Sequence, residues 1–255
     1  MKADYAQPHY LHEKARMGKP GGTWNPLHFG VIGEAWGLYL RDAGLWTLTT
    51  LVALGGYGCL QWFTHLIFGS PSGGLFSVHN LAGHRGPTIF DMIVCSLVMG
   101  LFLGGMIRMA VIQVRGGHRM LGDLFKLGDV WLDLLLGSAL MGVCNGIGWT
   151  FLIIPGVIIS GLLMLTYPLI VDAHLPATGA MIQSFELLKG HWLMAGILHF
   201  AIILAAASGL LFCGLGILFT APLYALSIAL IYRDLYLDAN LREPSPFGDF
   251  QGDPR

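Results

Sequence analysis

Six long apolar stretches, at about residues 43–68, 89–113, 129–147, 149–171, 191–213 and 214–237, alternate with short polar or glycine-rich segments. A hydrocarbon core about 30 Å thick needs roughly 20 apolar residues per helix, so each stretch is expected to cross a membrane as a helix. The runs are continuous and lack the period-two alternation of barrel strands. Asp129 and Asp133 enter the opening turns of the third stretch, the fourth carries Pro155 and Pro168, and the sixth carries Pro222. Within a membrane such prolines kink a helix while neighbouring groups satisfy the freed carbonyls. The expected fold is all-α, a polytopic bundle of six transmembrane helices arranged as three helical hairpins.

Each outward-going span is preceded by a short amphipathic stretch suited to lying at the membrane interface. Residues 28–41 place Phe29, Ile32, Trp36 and Tyr39 on one side, and residues 118–127 gather Leu121, Leu124 and Phe125. In 177–189 the apolar or small stripe is Ala177, Ala180, Met181, Ser184, Phe185 and Leu188, with Glu186 and Lys189 off it. The outer turns echo one another, Cys144-Asn145-Gly146-Ile147-Gly148 against Cys213-Gly214-Leu215-Gly216, with Pro155 and Pro222 at comparable depth beyond them. These features suggest a diverged threefold plan. The domain organisation is a polar arm over 1–27, the six-helix domain over 28–237 and a polar tail over 238–255.

Composition narrows the class. Of 255 residues only 11% are charged, where a soluble domain shows roughly a quarter. The hydrophobic share is 55% and the mean hydropathy is +0.65. A soluble globular enzyme, a disordered tail protein and a nucleic-acid binder with a basic face are thereby excluded. The first forty or so residues hold no apolar signal core, so the arm is expected to persist and the first span to act as its own insertion signal. The four cysteines form no C-x-x-C pair, which argues against a disulfide scaffold or a zinc ribbon. With six spans drawn, every Lys and Arg except Arg85 falls on one side. That asymmetry places both termini in the cytoplasm, and five or seven spans would scramble it.

Several of these residues carry a resemblance. Gly146-Ile147-Gly148-Trp149, Leu152-Ile153-Ile154-Pro155-Gly156, Tyr167-Pro168-Leu169-Ile170-Val171-Asp172, Gly179-Ala180, Ser184, Lys189-Gly190, and Pro222 through Tyr232-Arg233-Asp234 are its motifs. Together, over roughly 28–237, the chain resembles a broad group of bacterial six-helix inner-membrane proteins. That group is related to the membrane domain found beside some glycerophosphodiester phosphodiesterases. The resemblance implies a fold and an inner-membrane location. It brings no hydrolase residues, because catalysis in those enzymes resides in a separate soluble domain.

Candidate chemistry is sparse. Of the ten histidines, His199 alone lies well inside a span. A membrane histidine can ligate haem or a chlorin, relay protons, or hydrogen-bond between helices. His65, His79 and His84 cluster near the first outer loop without H-x-x-x-H or H-E-x-x-H spacing. Cys144 and Cys213 lie in equivalent turns, where they would either form a disulfide or remain buried free thiols. Arg108 and Asp133, each a turn or more inside the same leaflet, are expected to form an ion pair that locks two helices. Gly100, Gly104 and Gly105 include a Gly-x-x-x-Gly, a motif of close helix contacts within or between chains. Trp24, Trp36, Trp46, Trp62, Trp149 and Trp192 are placed near interfaces as an aromatic belt. No Ser/His/Asp set, phosphate loop or paired catalytic carboxylates stand at recognisable spacing. The expectation is therefore a non-enzymatic membrane protein without a cofactor, a structural or accessory subunit among membrane lipids and other membrane subunits, with no nucleic-acid partner. The alternatives are a transporter or lipid-handling module and, through His199, a haem or chlorin carrier.

Overall fold

The computed structural model describes residues 27–68, 89–151, 153–211 and 214–237. The helices are α1 (Gly30–Arg41), α2 (Ala43–Phe68), α3 (Ile89–Val114), α4 (Trp131–Phe151), α5 (Ile153–Leu162), α6 (Thr166–Val171), α7 (Ala177–Leu188), α8 (Trp192–Ala207) and α9 (Ile217–Tyr232). A 3-10 segment spans Leu121–Phe125, and a π-helical turn, Arg233–Leu237, ends the chain's described part. Among the described residues there is no strand, and six helical segments are long and apolar enough to cross a membrane. The fourth is composite, α5 followed by α6.

Spans two, four and six have 61%, 67% and 61% of their apolar windows buried, against 22%, 28% and 33% for spans one, three and five. The packing explains the alternation. Helices α3, α6 and α9 touch one another and form an inner triangle. Helix α2 packs against α3 and α9, α4 against α3 and the α5–α6 pair, and α8 against α5 and α9. Each peripheral span thus fills the groove between two inner ones. Large apolar side chains such as Leu51, Trp62, Leu132, Leu136, Ile197 and Leu204 remain on the outside.

Glycines set the closest approaches. A Cβ on Gly100 would fall 1.7 Å from Ser138 Oγ, one on Gly104 2.7 Å from Leu134 Cδ2, and one on Gly105 2.3 Å from the Leu124 carbonyl oxygen. The Gly-x-x-x-Gly of α3, Gly100 and Gly104, is therefore spent within the chain on α4, and Gly105 on the 3-10 segment. At Gly161 the missing Cβ makes room for backbone, with Gly196 Cα 2.6 Å away.

Several expectations are corrected. The turn expected at 144–148 is helical, because α4 continues to Phe151; Gly148 packs against Gly156 Cα at 3.0 Å from the position of a Cβ, so the two helices meet closely beyond it. The 213–216 turn does include Gly214 at φ +78°, so the two outer turns are not equivalent. Pro155 sits in the first turn of α5, where a missing N–H removes no internal bond. Pro222 lies inside a helix that runs on to Tyr232. Pro168 follows a true break at residues 163–165.

The amphipathic faces also differ. Helix α1 buries Val31, Ala35 and Tyr39 and exposes Phe29 and Trp36. The 118–127 stretch forms only the short 3-10 segment, burying Asp123 and Leu124 with Phe125 outside. Helix α7 buries Ala177, Ala180, Ser184 and Leu188 but turns Phe185 outward beside Ile182. In each case at least one bulky apolar side chain of the expected stripe, Trp36, Phe125 or Phe185, faces away from the bundle. Trp46 is fully buried rather than belt-like, donating from Nε1 to Gln113 Oε1 at 2.8 Å, while Gln113 Nε2 donates to the Leu38 carbonyl at 2.9 Å.

Candidate functional site

Apart from Asp91, in the first turn of α3, the charged residues of the described chain gather toward one end of the bundle. Arg108 meets Asp129, Nη1 to Oδ1 at 3.4 Å, and His174 Nδ1 approaches Asp129 Oδ2 at 3.5 Å. The expected Arg108–Asp133 pair is thus replaced by Arg108–Asp129. Asp133 instead accepts the backbone N–H of Ala177 at 3.1 Å and caps α7 from a neighbouring helix. Helix α7 begins after Pro176, which supplies no capping side chain, so its first amide needs an outside acceptor. Truncating that acceptor is expected to cost about 1 kcal/mol. In thermal unfolding, Asp133→Ala should therefore fall clearly below wild type, while Asp129→Ala, which breaks a pair with an exposed carboxylate, should shift little. The reverse order would restore the original pairing.

Further along the same end, Asp172 Oδ2 accepts from Arg115 Nη2 at 2.5 Å and from the Tyr232 hydroxyl at 2.8 Å. Arg119 pairs with Asp42, and Arg233 bridges Glu34 at 3.4 Å and Asp234 at 2.8 Å. In the segment before α4, Asp123 accepts from Lys126 Nζ at 2.8 Å and from the Met120 N–H at 2.7 Å. The Lys126 ammonium first, and the Met120 amide second, hold its carboxyl below the usual aspartate range. A lowered folded pKa gives stability that is complete above the unfolded value of about 3.9 and is lost as pH falls through the folded one. Wild type should therefore lose stability relative to Asp123→Asn as pH drops below about 4, measured as the difference between their unfolding midpoints. A difference that stays constant through that window would refute the assignment.

The second cluster lies within the spans. His199 on α8 is buried, with Nδ1 3.2 Å from Ser160 Oγ on α5 and Nε2 3.1 Å from the Tyr224 hydroxyl on α9. Ser160 spends its own proton on the Val157 carbonyl at 2.9 Å. It can therefore only accept from His199, which fixes the Nδ1–H tautomer and makes Nε2 the acceptor of the Tyr224 O–H. The two rings meet edge to face, 5.8 Å between centroids. Nearby, Tyr167 of α6 donates to Ser138 Oγ of α4 at 3.3 Å, and Ser138 donates to the Leu134 carbonyl at 2.6 Å.

This geometry bears on the fit of a cofactor to His199. An axial ligand to haem or a chlorin needs a free ring nitrogen facing a plate-sized space. Both nitrogens here are engaged with neighbouring helices, one turn from the Gly161–Gly196 crossing, so the residues present do not fit such a group. Cys144 is a free thiol and Cys213 lies outside the described residues, as do His79, His84, the arm to residue 26 and the tail from 238. The side chains of His65 and Trp149 are likewise not described. Among the described residues no group of His, Cys, Asp or Glu is placed to hold a metal ion.

His199 was legible as a polar residue in an apolar span. Tyr224 and Ser138 were not singled out, because tyrosines and serines in a membrane helix are ordinary until their neighbours are known; Asp129 was noted at the head of the third stretch, but not as the partner of Arg108. No family model, curated protein or solved structure matches this chain.

Proposed function

We propose that this chain is a non-enzymatic integral membrane protein serving as a structural or accessory subunit of a larger assembly in a bacterial inner membrane, with both termini cytoplasmic. The observation that carries the reading is His199. Its intramembrane polar chemistry is consumed in tying α5, α8 and α9 together, which is what a scaffold does with a buried histidine. Supporting it, the ends of α1, the 3-10 segment and α7 present outward apolar side chains, Trp36, Phe125 and Phe185, beside the charged end. Three such elements, each ahead of a peripheral span, fit hairpins entered from an interfacial helix. The relationship to the six-helix inner-membrane group belongs to the same proposal.

The test is extraction in a mild detergent, followed by native mass measurement and identification of co-purifying chains. Stoichiometric partners that survive purification are expected. A strictly monomeric protein with none would overturn the accessory role. A second reading, a lipid-handling module, is favoured by the interrupted fourth span, since broken helices create polar sites within membranes. Saturable, headgroup-dependent thermal stabilisation by added lipid would favour it over the scaffold.

A further inference from the structure

The interruption in span four has an unusual hydrogen-bond pattern. In a continuous helix the Leu165 N–H would bond the Gly161 carbonyl, and the Thr166 N–H would bond the Leu162 carbonyl. Instead Met164 N takes the Gly161 oxygen at 3.3 Å and Thr166 N takes the Leu163 oxygen at 3.1 Å. The two groups left over are both claimed by one side chain from another helix. Ser184 Oγ of α7 accepts from Leu165 N at 3.2 Å and donates to the Leu162 oxygen at 2.7 Å. Ser184 is fully buried, so no water replaces it there.

Two features show what this arrangement gives up. Thr47, Thr49 and Thr50 each turn their hydroxyl back to the carbonyl four residues earlier. Thr166, also fully buried, has no hydroxyl partner; the carbonyl four residues before it is that of Leu162, already taken by Ser184. The connection from α6 to α7 also places His174 at φ +52°, a left-handed conformation that costs a non-glycine residue free energy. The bent state therefore carries an orphaned hydroxyl and a strained turn. A straightened span would return Leu165, Thr166 and Leu162 to their helical partners. A straightened helix would in turn hold Pro168, which has no N–H for the Met164 carbonyl, in its interior, so each arrangement carries a cost of its own, the condition for a bistable element.

We propose that span four is a two-state hinge at Leu163–Leu165, with Ser184 as the clasp through which α7 holds it bent and Asp133 as the anchor at the other end of α7. When α7 lifts, the break closes into continuous helix and α6 moves relative to the inner triangle. Because Asp172, just beyond α6, is bonded to Arg115 and Tyr232, the hinge is coupled to the charged end of the bundle. This holds whether the chain is a scaffold or a lipid-handling module.

The experiment places spin labels at Ile154 on α5 and Ile182 on α7, both exposed, in the full-length protein reconstituted in bilayers. Wild type should give one dominant distance. Ser184→Ala removes both clasp bonds and should raise a second, longer-distance population about tenfold or more, while Ser184→Thr restores the single distance and Ser208→Ala, whose hydroxyl bonds the Ala205 carbonyl away from the hinge, leaves it unchanged. An unaltered distribution in Ser184→Ala overturns the proposal. Native-state hydrogen exchange on the wild type covers the case in which the alanine variant fails to fold. There, residues 163–188 should open as a unit well before α3 and α9, and exchange of that segment only through global unfolding also overturns it.

Discussion

Gly161→Val is expected to lower stability by about 2–3 kcal/mol, seen as a fall of roughly 5–10 °C in the unfolding midpoint of the solubilised protein. The reason is the nature of the obstacle. A Cβ at Gly161 would stand 2.6 Å from both Cα and N of Gly196, and 2.8 Å from the Ala195 carbonyl carbon. Those are backbone atoms of α8, so no side-chain rotation relieves the clash and the two helices must separate. Separation then stretches the Ser160–His199 bond, which lies beside the same crossing. Gly55→Ala on α2 is the matched control, because a Cβ there meets nothing within 4 Å and alanine is the better helix former. Equal midpoints for the two variants would mean that α5 and α8 do not cross as closely as described.

His199→Leu should cost about 2 kcal/mol, from two interhelical bonds averaging about 0.6 kcal/mol each and a Tyr224 hydroxyl left without its acceptor. The single changes Ser160→Ala and Tyr224→Phe remove one partner apiece and should each cost less than the histidine variant. Combining Tyr224→Phe with His199→Leu should add little further, since the bond is already gone, and that non-additivity is the signature of direct contact. The visible absorbance of the purified protein should be the same in wild type and His199→Leu, as a histidine with both nitrogens engaged by protein predicts. A coloured wild type that bleaches in the variant would show that the ring turns away from Ser160 and Tyr224 to hold a pigment.

The cost of both substitutions is set by pairwise geometry that has no counterpart in the linear pattern. The spans themselves were legible, α2 beginning and ending at the expected residues 43 and 68, because the hydropathy of a run is a local property. The faces of the short helices were read only in part: on α7 the stripe of Ala177, Ala180, Ser184 and Leu188 is the buried one while Phe185 turns outward. Helical periodicity reports that a helix has two sides, but not which of them packs against the rest of the chain. Val31 and Ala35 faced the bundle, although the larger Phe29 and Trp36 weighted the predicted stripe the other way. Asp133 shows the same limit for charge. Asp129, one turn earlier, took the arginine and left Asp133 to the first amide of α7.

Residue order alone determined that this chain forms six apolar helices with its cations gathered between alternate pairs, since burial in lipid demands long uncharged runs and backbone groups satisfied within each run. Tertiary structure decided which spans lie inside, which glycines meet backbone, and why one serine on a neighbouring helix stands where the fourth span gives up its own hydrogen bonds. Those outcomes depend on distances between residues far apart in the chain, and a run of letters fixes hydrophobicity position by position but not who stands opposite whom.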